Sequence, residues 1–171
     1  VDRRQRQMCI RDSLNVVAFK AKIDNRYSKN RIVSHDRNSL ESIAIDNAED
    51  LMKLGRDYDV VGIDEAQFFP DLEKVVKLML KTYTNLKITC VGLDGDFKQQ
   101  VFNDGQLLKL IPYADNVKKL HSRCSYCGEK ASFTKRKTDS KEQVIVASKD
   151  IYEAVCYIPV SYTHLRAHET S

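Results

Sequence analysis

Val60-Val61-Gly62-Ile63-Asp64-Glu65-Ala66-Gln67-Phe68-Phe69-Pro70 is the stretch on which the reading of this chain turns. Apolar, largely β-branched residues run into two adjacent carboxylates, and Pro70-Asp71 then opens a helical pattern. A short apolar run of this kind, Tyr58 to Ile63, predicts a buried strand whose end delivers charge. The helix is predicted from Pro70-Asp71 through about Thr82, with Leu72, Val75, Val76, Met79 and Leu80 on its apolar side. Leu86 to Leu93 is a second apolar run, read as a buried strand, and it ends in Asp94-Gly95. Strand, helix, strand, with acids at both strand ends, is the rhythm of a parallel α/β sheet. Ligands of such sheets sit outside the carboxyl ends of the strands, where both acidic clusters fall.

Working outward, Leu14 to Phe19 predicts another buried strand, and Asp24 to Ser39 reads as a basic surface loop. Ser42 to Ile45 predicts a short strand. Asp46 stands at an N-cap position with Glu49 three residues on, so a helix is expected to run to Leu54 and stop at Gly55. From His121 the texture changes. Cys124-x-x-Cys127-Gly128 precedes a predicted strand at Ala131 to Thr134, a charged loop from Lys135 to Glu142, a second strand at Val144 to Ala147, and Cys156. These features predict a small metal-stapled β unit, residues 121–156, after an α/β core at 14–120.

Bulk composition narrows the class. The 171 residues are 42% hydrophobic and 30% charged, enough for one packed domain or one domain with a small appendage. A net charge of +4 permits a polyanionic ligand such as a nucleotide but lacks the dense basic stripe of a genome-binding protein. The longest apolar runs are far shorter than a membrane span. Five cysteines, an odd count, with no export-type apolar stretch in residues 1–13, predict reduced thiols and a cytoplasmic home. Cys90 reads as a core thiol.

The ends have a different look. Residues 1–13 (VDRRQRQMCIRDS) and 161–171 (SYTHLRAHETS) carry neither helix nor strand periodicity. They resemble translated sequencing-adapter read-through, so residues 1–13 and 157–171 are read as non-native tails, Cys9 among them.

Apolar residues followed by Asp-Glu form a Walker B pattern. An Asp at a strand's end can hold Mg²⁺ beside phosphates, and an adjacent carboxylate can take a proton from an attacking hydroxyl. A strand ending in solvated acids is the plain alternative. The wider series decides between them: VVGIDEAQFFPDL, VGLDGDF, SRCSYCGEKASFTKR and DIYEAVC occur in the order and spacing of the cytosolic-type thymidine kinases. Residues 14–156 resemble that family.

The resemblance implies a role for particular positions. Glu65 corresponds to the catalytic base that deprotonates the deoxyribose 5′-hydroxyl. Asp64, Ala66 and Gln67 correspond to positions near the metal and nucleotide, and Asp24, Asn25 and Arg26 to an Asp-x-Arg near Mg²⁺ and the ATP phosphates. Phe68, Leu93, Phe97 and Phe102 correspond to the apolar wall around thymine. Thr134, Gln143, Val144, Ile145, Val146, Ala147 and Tyr152 correspond to a lasso that closes over the nucleoside largely through backbone groups. Cys124, Cys127 and Cys156 correspond to three of four Zn²⁺ ligands. The fourth falls at Pro159, which cannot ligate, while His164 and His168 follow in the terminal stretch. A weakened zinc site is therefore expected. By the same resemblance the partners are thymidine and ATP, the assembly a homotetramer, and neither membrane nor nucleic acid is engaged.

The family opens with a strand, G-x-x-x-x-G-K-[ST] and a helix, which hold the ATP phosphates. No such motif occurs in the 171 residues, and Leu14 to Phe19 corresponds to the family's second strand. The first strand, phosphate loop and first helix are read as missing, and turnover by this chain is expected to be absent. A zinc-ribbon module gripping nucleic acid or protein through Lys135-Arg136-Lys137 is the other reading. Asp64-Glu65-Ala66-Gln67 also suggests a helicase fragment, but the chain is too short for two helicase lobes.

Overall fold

The computed structural model describes residues 14–23, 31–33, 39–138 and 151–157. Four strands form a fully parallel sheet: β1 (Val16–Ala21), β4 (Ile43–Ile45), β5 (Val60–Asp64) and β6 (Lys87–Cys90), in the order β4-β1-β5-β6. Two short strands, β2 (Arg31–Val33) and β3 (Ser39–Glu41), pair with each other apart from the sheet. They fall in and beside the stretch read as a plain surface loop.

Register explains why the sheet has one well-filled face. Val17 lies opposite Val61, Phe19 opposite Ile63, and Ala21 opposite Ile45. Ile88 and Cys90 continue the same rows on β6. With a side-chain period of two, these residues share a face. Helices α1 (Glu49–Leu54) and α2 (Leu72–Thr82) pack on that face through Leu51, Leu72, Val75, Val76 and Met79. The α2 contacts recur at i, i+3, i+4 and i+7, the stripe a core-facing helix needs. Tyr83 donates its hydroxyl to the Met52 carbonyl (2.9 Å), tying the end of α2 to α1. Gly55 is close-packed at that junction: a Cβ there would stand 2.7 Å from the Leu51 carbonyl oxygen.

Several boundaries differ from the sequence reading. Leu80 is 44% exposed, at the margin of the stripe whose buried residues are Leu72, Val75, Val76 and Met79. Ala48 occupies the N-cap of α1 with no side-chain cap bond, and Asp46 instead pairs with Lys22. The β6 strand was expected to be buried, yet Lys87 and Thr89 are exposed, since α2 covers one face and β5 is its only strand partner among the described residues.

After β6 the chain runs through irregular backbone and two 3-10 turns, Asn103–Gly105 and Leu108–Tyr113. A second, smaller core follows. Hairpin β7 (Ser122–Arg123) with β8 (Lys130–Ala131) carries the first two cysteines of that unit in its loop. Strand β9 (Phe133–Arg136) pairs antiparallel with β10 (Tyr152–Val155). The strand predicted at Ala131 to Thr134 is thus split between β8 and β9, and β9 extends into the residues read as a charged loop. The strand predicted at Val144 to Ala147 lies outside the described residues.

Phe19 is fully buried (0% exposed) between the helices and the sheet. Phe19→Ala is expected to lower unfolding free energy by about 3–5 kcal/mol, read as a fall in the urea midpoint by circular dichroism.

Candidate active site

The end of β5 turns sharply. Glu65 adopts the left-handed conformation (φ 49°, ψ 40°), a backbone state that costs a side-chain-bearing residue about 1–2 kcal/mol. Non-glycine residues persist there only where neighbours over-determine them. Here the neighbours are identifiable. The Ala66 N–H donates to the Val91 carbonyl (2.9 Å), anchoring the turn to the chain leaving β6. Gln67 is 1% exposed and has both ends of its amide committed. Its Nε2 donates to Glu65 Oε2 at 2.7 Å, and its Oε1 accepts the Leu93 N–H at 3.0 Å. The Gln67 carbonyl accepts from Asn103 Nδ2 at 2.8 Å. A buried glutamine in this position orients the Glu65 carboxylate.

Gly92 makes the arrangement possible. A Cβ at that position would lie 2.3 Å from Gln67 Oε1 and 3.2 Å from the Ala66 nitrogen. The chain just past β6 comes so close to the Gln67 amide that a Cβ at Gly92 would have to push that amide aside.

On the opposite sheet face from the main core, Asp64 lies across from Lys20 in the β1–β5 register. Lys20 is 2% exposed, and a lysine is seldom so buried. Neither position was distinguished by burial from sequence, because Lys20 sits in a short strand whose other residues are mostly apolar.

The aromatic residues form two groups. Phe68 and Phe102 meet edge to face, with centroids 5.9 Å apart and planes at 75°, a favoured aromatic geometry. Phe97 instead meets Arg136 and through it Tyr152. Leu93 is 50% exposed, so its side chain is not ordinary core. Strand alternation sorts the β9–β10 hairpin: Thr134 and Arg136 share a face with Tyr152 and Ala154, while Phe133, Lys135, Glu153 and Val155 occupy the other. Asp24, Asn25, Arg26 and Gln143 through Ala147 lie outside the described residues.

The second face of the hairpin borders the cysteine cluster. Cys124, Cys127 and Cys156 bring their Sγ atoms within 4.8 Å of one another, with Cys127 and Cys156 at 3.5 Å. Gly128 turns the loop in the left-handed region (φ 75°), and its N–H donates to the Cys124 carbonyl at 2.9 Å. Burial pushes the Cys124 thiol up, but backbone N–H groups of Cys127, Tyr126 and Cys156 outweigh it and hold the thiol below its usual range. Cys156 is pushed up, by burial first and then by its hydrogen bonds to Cys127 and Cys124. Thiolates crowded this way call for a cation. Tetrahedral zinc with Zn–S of about 2.3 Å sets sulfurs about 3.8 Å apart, close to the 3.5 Å between Cys127 and Cys156 and inside the 4.8 Å that encloses all three. Three corners are supplied, and no fourth His, Cys, Asp or Glu joins them among the described residues. Cys90 stands elsewhere, packed against the main core, where burial pushes its thiol up to about 11.

Comparison with known proteins addresses the family. The family model described as Thymidine kinase matches residues 3–158. The chain belongs to the thymidine kinase family. A thymidine kinase of Bacteroides thetaiotaomicron is 39% identical over 142 residues, covering 82% of this chain and 69% of the relative. One from Porphyromonas gingivalis is 37% identical over 142 residues, covering 82% of this chain and 68% of the relative. One from Oryza sativa subsp. japonica is 38% identical over 149 residues, covering 84% of this chain and 54% of the relative.

Within this thymidine kinase family chain, the sequence singled out Glu65 and Gln67 but not the amide bridge between them, nor Gly92. The signal for Gly92 was present, a glycine at the end of a strand, but its meaning needed the distance to Gln67. A groove of about 550 Å³ along α2, lined by Pro70, Lys74, Lys77, Leu78, Lys81 and others, contains none of the candidate residues. No helix among the described residues is long and apolar enough to cross a membrane.

Gly92→Ala is expected to displace the Gln67 amide and leave the Leu93 N–H unpaired, lowering stability by about 1–3 kcal/mol, with the loss measured by urea denaturation. Cd²⁺ is expected to add thiolate-to-metal charge-transfer absorbance to the reduced chain, and Cys124→Ser to remove most of it. The band should weaken as pH falls, because protons compete for the thiolates.

Proposed function

We propose that this chain supplies the thymidine site and catalytic base of a kinase that transfers the γ-phosphoryl group of ATP to the 5′-hydroxyl of thymidine. The observation that carries this reading is Glu65, held in a left-handed turn at the carboxyl end of β5 with Gln67 bonded to its carboxylate. A general base needs its carboxylate aimed before substrate arrives, and a buried amide donor does that.

Other residues take the roles their positions suggest. Asp64, at the end of β5, would hold Mg²⁺ together with Asp24, while Arg26 would pair phosphate oxygens, and the ion would neutralise charge developing on the phosphates. Phe68, Phe97, Phe102 and Leu93 would bound the thymine, with Thr134, Tyr152 and residues 143–147 closing over the nucleoside. Cys124, Cys127 and Cys156 would hold a zinc ion that staples the hairpin unit. With three protein thiolates and Pro159 at the family's fourth position, that zinc would be held more weakly than by four ligands. On this reading residues 14–120 form the kinase core, 121–156 the lasso unit, and 1–13 and 157–171 are non-native tails, in a cytoplasmic enzyme that assembles as a tetramer.

The 171-residue chain contains no G-x-x-x-x-G-K-[ST], so we propose that it does not turn over by itself. The alternative of a nucleic-acid-binding ribbon fits less well. Of its three cations, Lys135 is engaged by Tyr126 and Glu153, and Arg136 is buried against Phe97.

The purified chain with thymidine and ATP-Mg²⁺ is expected to yield no thymidine monophosphate by chromatography. A version extended before Leu14 by a strand, a phosphate loop and a helix is expected to gain turnover. In that extended protein, Glu65→Gln should lower kcat by about 10²–10⁴-fold while thymidine affinity stays within a few-fold. Turnover by the unextended chain, or an unaffected Glu65→Gln variant, would overturn the proposal.

A further inference from the structure

Arg136 reads in sequence as the middle of a basic run, Lys135-Arg136-Lys137, at the edge of a charged loop. Its position is otherwise. It is the last residue of β9 and only 4% exposed. Arginine is almost never buried to this extent without partners. The guanidinium carbon lies 3.8 Å from the Phe97 ring centroid and 5.1 Å from that of Tyr152. Its Nη2 donates to the Tyr152 hydroxyl at 2.5 Å.

The partners come from separate parts of the chain. Tyr152 faces Arg136 directly across the β9–β10 ladder. Phe97 belongs to the irregular segment after β6, in a turn stiffened by Asp96. Asp96 Oδ1 accepts the N–H groups of Lys98 and Gln100, both at 2.8 Å, and the Asp96 N–H donates to the Gln100 carbonyl at 2.8 Å. Arg136 therefore joins a rigid turn of the sheet-bearing part to a hairpin whose second face packs on the cysteine cluster. A desolvated guanidinium on an aromatic face is a strong form of this contact, and the planar group can hydrogen-bond at its rim while stacking.

We propose that Arg136 is a positioning residue that latches the β9–β10 hairpin onto the Phe97 turn, and so sets where Thr134 and Tyr152 stand. The inference rests on the thymidine-site reading only for its consequence, the holding of nucleoside. The latch itself is a physical claim about two surfaces. Arg136 acts through Phe97 and Tyr152 and need not touch substrate.

The full chain and its variants Arg136→Met, Arg136→Lys, Tyr152→Phe and Phe97→Leu test this by two readouts. Hydrogen exchange by mass spectrometry should show peptides covering 133–136, 152–155 and 95–100 exchanging at least ten-fold faster in Arg136→Met, with α2 unchanged. Arg136→Lys, which keeps the charge, should recover part of the protection. The Arg136→Met and Phe97→Leu effects should be strongly non-additive, since each removes the same contact. Thymidine binding by calorimetry should weaken about ten-fold or more in Arg136→Met and less in Arg136→Lys. Unchanged hairpin exchange in Arg136→Met, or additive effects with Phe97→Leu, would overturn the latch. If Arg136→Met does not fold, Arg136→Lys and Tyr152→Phe decide it: protection equal to wild type in both would overturn it. A wild-type chain that binds no thymidine would count against the thymidine-site reading, while the exchange result would still decide the latch.

Discussion

The parallel ladder between β1 and β5 is the constraint from which the other features follow. Its register sets Val17 on Val61 and Phe19 on Ile63, and thereby builds the face that α1 and α2 cover. A slip of β1 by one residue would turn Val17 and Phe19 toward the other face and bring Lys20 under the helices. The hydrophobic penalty of that slip fixes the register. The same ladder places Asp64 level with Lys20 and launches Glu65 from the sheet's carboxyl edge. Core packing and site geometry are thus two results of one backbone pairing.

The turn beyond β5 stores strain and is held by polar contacts rather than by apolar packing alone. Glu65 takes a conformation that glycine would adopt more easily, and Gln67, Asn103, Val91 and Gly92 surround it. A half-bonded buried amide would be costly, so Gln67 needs both Glu65 and the Leu93 N–H in place. The sheet end, the carboxylate and the chain leaving β6 consequently behave as one rigid assembly. The base proposed at Glu65 would need its carboxylate held in this way.

The hairpin of β9 and β10 relates the two cores. Alternation gives it one face toward the thiols and another toward Phe97. Stapling the first face therefore bears on the second: metal held by Cys124, Cys127 and Cys156 would restrain the strands that carry Thr134, Arg136 and Tyr152. The link between the thiol cluster and the Phe97 side of the hairpin is made by nothing more than the two-residue period of a strand.

Much of the fold was legible because it depends on local pattern. Apolar runs ending in Asp64-Glu65 and Asp94, the helical stripe of Leu72, Val75, Val76 and Met79, and the spacing of Cys124 and Cys127 are all short-range signals. They determined the strands of the parallel sheet, its two helices, the acidic ends and the Cys124–Cys127 pair, but not the β2–β3 pair. The family followed from four such strings in series. Tertiary structure alone decided the rest. Arg136 looked like a solvated cation until Phe97, distant in sequence, covered it. The partner strand of β9 was decided by long-range pairing. The worth of Gly92, the left-handed turn at Glu65 and the burial of Lys20 all depend on contacts between segments far apart in sequence. Periodicity reports which side of an element is apolar. It carries no record of what the chain later brings against that side, and the chemistry here is made in those meetings.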